Sequence, residues 1–264
     1  MAWTFPSYRS GQFGQDVVFA FAGCGLLVLA VHWRLLRFAA VPLAISADVA
    51  HVVEALAAEG HQAIVVAGYS LGGNLALKLA GDYGTAAPAA LKGVAAVSPV
   101  MDLPGCVDAL ERRSNFVYQW NFVRNLKRRM RRKAAIFPGR FSTEPLARIW
   151  TVREFDEVYT APFFGFRDAS DYYHRAAALR VVHRIAVPAL IMTAADDPFV
   201  PPAPFRDPAV TGNPHITVAL SAHGGHCGFV AAASPGDDGY WAEGEIVRFA
   251  ADVAGCAGAD GIHV

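Results

Sequence analysis

Apolar residues fall along this chain in two patterns. Short unbroken runs rich in valine, isoleucine and leucine occur at residues 26–31, 63–67, 93–97, 189–193 and 215–220. Runs of that length and composition read as strands, and the lack of alternation suits strands covered on both faces. Between them the period changes to that of a helix. Residues 12–22 place Phe13, Val17 and Phe21 on one face, and residues 46–58 do the same with Val49, Val52, Val53 and Leu56, with Gly60 just past the end. Leu71, Leu75 and Leu79 recur at intervals of four after the second run, and residues 241–253 align Ile246, Phe249, Ala250 and Val253. Residues 33–45 show no clear period. From 103 to 180 the alternation stops, and the segment is aromatic, basic and helical in pieces. Strands alternating with helices predict a mostly parallel α/β sheet covered on both sides, interrupted by one inserted segment.

One stretch carries the chemistry: Gly68-Tyr69-Ser70-Leu71-Gly72-Gly73-Asn74. It joins the strand at 63–67 to the next helix, and Gly-x-Ser-x-Gly is chemically meaningful in that context. A sharp strand-to-helix reversal crowds the backbone, so glycine is needed beside the serine. The turn lifts the Ser70 hydroxyl above the sheet and leaves the Leu71 N–H at a helix start, where it can meet an oxyanion. Two further polar groups follow later strand ends, Asp197 and His226. A serine hydroxyl is a weak nucleophile. It needs an imidazole to take its proton and a carboxylate to hold that imidazole in the right tautomer. Asp196 and Asp102 compete with Asp197 for the carboxylate's place, and His223 competes with His226. His223, His226 and Cys227 could also form part of a metal site, but no fourth ligand stands nearby in sequence.

Composition narrows the class. At 264 residues the chain is one large α/β domain or two small ones, and 54% hydrophobic with 17% charged residues suits a well-buried fold. Formal net charge is zero, which gives no sign of a nucleic-acid partner. Cys24, Cys106, Cys227 and Cys256 stand far apart, as reduced thiols of a cytoplasmic protein do. Nothing in the sequence calls for a cofactor or a metal. The apolar run 17–31 is shorter than the ~20 residues of a spanning helix and is broken by Gly23-Cys24-Gly25. Residues 124–133 hold seven basic residues in ten. That run is expected to be a solvated helix face, with weak contact to an anionic membrane surface as the competing reading.

These motifs resemble the α/β-hydrolases, and within them the YheT-like esterase branch, over most of residues 62–230. The resemblance rests on the Ser70 turn, on Arg153-Glu154-Phe155-Asp156 with Asp171-Tyr172-Tyr173, on Asp196-Asp197-Pro198-Phe199, and on His223-Gly224-Gly225-His226-Cys227-Gly228-Phe229. It implies an α/β-hydrolase fold in one domain over 1–264, with 103–180 inserted as a lid. It also implies Ser70 as nucleophile, Asp197 as acid, His226 as base, Leu71 as an oxyanion donor, and a small-molecule ester or lipid-like substrate. The chain departs from the family in one respect. The family usually has about three strands before the run at 26–31, the third ending in a His-Gly-x-x-Gly loop that supplies a second oxyanion amide. No such motif precedes Leu26. The expectation is a serine esterase of reduced activity on a frame lacking its N-terminal strands. The alternative is a weak or inactive relative that acts as a binding protein.

Overall fold

The structure, a computed structural model, describes residues 17–22, 46–232 and 239–255. Five strands are described: β1 (Val17–Ala22), β2 (Ala63–Tyr69), β3 (Leu91–Val97), β4 (Ala189–Ala194) and β5 (Ile216–Ser221). They form one sheet in the order β1-β2-β3-β4-β5, and each neighbouring pair is parallel. All five therefore point the same way, and whatever follows each strand gathers at one edge of the sheet.

Burial explains the unbroken apolar runs. Every residue of β4 is buried, as are the first six of β2. On one face Val65, Ala67, Ala95, Leu190 and Met192 pack with Ile246, Phe249 and Ala250 of the closing helix Trp241–Val253. The helices α1 (Ser46–Ala58) and α2 (Leu71–Tyr83) follow the predicted apolar stripes. Val49, Val53 and Leu56 of α1 are buried, and so are Leu75 and Leu79 of α2.

One predicted helix is a strand. Residues 12–22 show helical spacing, yet Val17–Ala22 is β1, paired in register from Val17 with Ala63 to Ala22 with Gly68. The segment reads Val-Val-Phe-Ala-Phe-Ala. A short apolar run satisfies both periods, so its partner decides its state. The strand expected at 26–31 and the aperiodic segment 33–45 lie outside the described residues.

The chain divides into two compact units. The first comprises Met1–Met101, Ala178–Asp197 and Pro202–Val264, within the described residues, and holds the sheet. The second comprises Asp102–Ala177 with Pro198–Pro201. It is helical, with α3 (Leu103–Leu110), α4 (Phe116–Ile136) and the helix Ala169–Ala176. Its core joins Val123, Met130, Leu146, Ile149 and Phe155. Many of its aromatic rings pack on one another: Phe141 on Phe163, Phe163 on Phe164, Phe155 on Tyr159, and Tyr118 and Phe122 on Phe199. No helix among the described residues is long and apolar enough to cross a membrane.

Candidate active site

Ser70 is the single residue between the end of β2 and the start of α2. Its backbone sits at φ 55°, ψ −118°, a conformation that costs a non-glycine residue about 1–3 kcal/mol. Three backbone hydrogen bonds hold it there. Ser70 N–H donates to Val97 O at 2.8 Å, and Ser70 O accepts from Asn74 N at 3.1 Å and Val100 N at 3.3 Å. Gly68 makes the reversal possible, since a Cβ there would lie 2.2 Å from the Gly72 carbonyl oxygen. Gly73 is also close-packed, with a Cβ position 3.0 Å from that of Pro99. Leu71 opens α2, so no helical carbonyl precedes it to take its N–H.

Asp197 follows β4 and His226 follows β5, which brings both to the edge where β2 ends. His226 Nε2 lies 2.9 Å from Ser70 Oγ, and His226 Nδ1 lies 2.8 Å from Asp197 Oδ2. The Asp197 side chain is fully enclosed and that of His226 is 12% exposed. The low surrounding polarity strengthens the attraction between an imidazolium and that carboxylate. Both ring nitrogens of His226 are thus engaged, one by a hydroxyl and one by a carboxylate. That arrangement can move a proton off Ser70.

The competing residues go elsewhere. Asp102 stands at the start of α3 in the second unit. Asp196 turns away from His226 and accepts the Gly225 N–H at 2.8 Å, with His223 Nδ1 at 3.3 Å. The Gly225 N–H, then the nearby His223, hold the Asp196 carboxyl below the usual range. Among the described residues no group of three or more His, Cys, Asp or Glu is arranged to hold a metal.

Two contacts gave no signal in the sequence. Asp196 ties down Gly225, and the Ser98 hydroxyl accepts the Cys227 N–H at 3.2 Å. The two residues flanking His226 are therefore each bonded to a side chain at the end of another strand. Ser98 itself is buried at φ 44°. Only its place just after β3 sets it apart in sequence, and any strand-end serine shares that place.

Residues 43–233 match a family model described as the alpha/beta hydrolase fold. YheT of Escherichia coli strain K12, an esterase by name, is 36% identical over 177 residues, covering 65% of this chain and 50% of that protein. Phospholipase ABHD3 of Mus musculus is 30% identical over 172 residues, covering 65% of this chain and 41% of that protein. Medium-chain fatty acid ethyl ester synthase/esterase 2 of Saccharomyces cerevisiae is 39% identical over 100 residues, covering 38% of this chain and 21% of that protein. The chain spans half the length or less of these relatives.

Proposed function

Because the chain belongs to the alpha/beta hydrolase fold family, we propose that it is a serine hydrolase cleaving carboxylic esters with an apolar acyl group. The observation that carries this reading is the hydrogen-bonded line from Ser70 Oγ through His226 to Asp197, set on a strained strand-to-helix turn. In this reading His226 Nε2 takes the Ser70 hydroxyl proton as Oγ attacks the ester carbonyl carbon. Asp197 accepts from Nδ1–H and steadies the imidazolium. The Leu71 N–H donates to the carbonyl oxygen as it becomes negative. His226 then returns the proton to the departing alkoxide, which leaves as the alcohol with Ser70 acylated. Water, deprotonated by the same nitrogen, attacks the acyl-enzyme, and the acid leaves as the proton returns to Ser70 Oγ.

The substrate class draws support from the relatives' names, an esterase, a phospholipase and a medium-chain fatty acid ethyl ester enzyme. All three names fit an ester joining an acyl chain to an alcohol. Residues 103–180 belong to the same reading as a cap inserted in a single hydrolase domain. A fluorophosphonate probe tests the nucleophile, because it phosphonylates only an activated serine. Labelling of the native chain and none of Ser70→Ala is the expected result. Equal labelling of both would move the nucleophile elsewhere. No labelling of either would favour a binding protein that keeps the geometry without the activity.

A further inference from the structure

We propose that the exposed face of α4, with Trp150 beside it, docks this protein on the surface of an anionic lipid bilayer. The helix runs for 21 residues, about 30 Å, and contains no aspartate or glutamate. Its buried side is conventional: Val123 and Met130 pack into the core of the second unit with Leu126 against them. The opposite side is a straight stripe of Val117, Trp120, Arg124, Arg128 and Arg131, spaced three or four residues apart and all exposed. Among the described residues, none of Arg124, Arg128, Arg131 and Arg132 forms an ion pair. The formal net charge of the chain is zero, so this face is a local concentration of positive charge.

The apolar residues on this face argue against a merely solvated helix. Trp120 is 51% exposed, Val117 69% and Trp150 71%. Each tryptophan carries a cation from the same helix over its ring: Arg124 lies 5.4 Å from the Trp120 centroid and Lys127 lies 5.1 Å from that of Trp150. The backbone that carries Trp150 is fixed: its main-chain N–H donates to Glu154 at 2.6 Å, next to the Thr151–Glu154 capping box that starts the following helix. Indole rings paired with cations suit the boundary between lipid headgroups and acyl chains, where one part of the group is apolar and the other is wet. A phosphate-rich nucleic acid would satisfy the arginines but has no use for the exposed aliphatic side chain of Val117. The charge pattern therefore fits anionic phospholipid, with valine and tryptophan entering the headgroup layer.

The test is flotation of the full chain with vesicles of phosphatidylcholine alone and of equimolar phosphatidylcholine and phosphatidylserine. It reads binding rather than turnover, so its outcome is independent of the proposed esterase reaction. The expected result is partition onto the anionic vesicles only, released by raising the salt, because surface attraction is screened within ~8–10 Å at physiological ionic strength. Changing Arg124, Arg128, Arg131 and Arg132 together to glutamine should weaken partition by at least about ten-fold, while the same four changed to lysine should still bind. Trp120→Ala with Trp150→Ala should weaken binding at unchanged thermal midpoint. Equal binding to neutral vesicles, or none to either, overturns the proposal. So does tight binding to a single-stranded oligonucleotide without vesicle partition. A dimer in solution that the tryptophan changes dissolve, again without vesicle binding, would assign the face to a second copy of the chain.

Discussion

His226 is held in place from both sides. Asp196 fastens the residue before it and Ser98 the residue after it, while Asp197 faces the ring itself. Two adjacent aspartates therefore serve different ends, because the turn that follows β4 aims Asp197 at the His226 ring and Asp196 at the Gly225 N–H. Different losses should follow. Asp197→Asn is expected to lower kcat by about 10⁴-fold with little change in KM, since the amide favours the wrong tautomer. Asp196→Ala should cost far less, up to about 10²-fold, by letting the loop shift. Asp196→Asn should recover most of that loss, because its carbonyl still accepts the Gly225 N–H. Steady-state kinetics on the three variants check this. Equal losses in Asp197→Asn and Asp196→Asn would show that the assignment of the two carboxylates is wrong.

At the scale of elements, the second unit contains a titrating joint. Asp156 starts a wide helical turn, Asp156–Thr160, and accepts from the Thr160 hydroxyl at 2.6 Å and the Tyr173 hydroxyl at 2.7 Å. It so ties that turn to the helix Ala169–Ala176. Removal from water pushes its carboxyl up from 3.8 to about 6, against the opposing pull of the two hydroxyls and Arg153. The folded chain then binds this proton more tightly than the unfolded chain. This group's contribution is most favourable below pH 3.8, falls as the pH rises towards 6 and is constant above that. Asp156→Asn imitates the protonated acid. It should raise the thermal midpoint at pH 7 and remove the part of the slope that lies between about 4 and 6. Thermal melts of both proteins across that range read the difference. A lower midpoint for the variant at pH 7 would mean that the hydroxyl bonds to a charged acceptor outweigh the cost of its burial.

For the whole molecule, the proposed ester cleavage requires an apolar surface to receive the acyl chain. The inserted segment is rich in aromatic rings, but several are already engaged with one another, including Phe141, Phe163 and Phe164. Burial of acyl methylenes would still show in kinetics, at about 0.8 kcal/mol per methylene. From p-nitrophenyl acetate to the butyrate, kcat/KM is expected to rise on the order of ten-fold. A flat series would mean that the chain stays in water during the reaction.

The sequence alone determined the parallel α/β frame, the extents of α1 and the closing helix, and the place of Ser70 on a strand-to-helix turn. It could do so because unbroken apolar runs, helical stripes and a glycine beside a strand-end serine are local signals. Each follows from the period of the backbone or from steric crowding within a few residues. Tertiary structure decided the rest. Val17–Ala22 is a strand because β2 offers it a partner, a fact that six apolar residues cannot express. Which aspartate meets His226 depends on how β4 ends and where the loop after β5 returns, and the two residues are neighbours in sequence with identical chemistry. Ser98 holds Cys227 across 129 positions of chain. Such a contact exists only because parallel strands deliver their ends to one edge, and spacing along the sequence carries no trace of it.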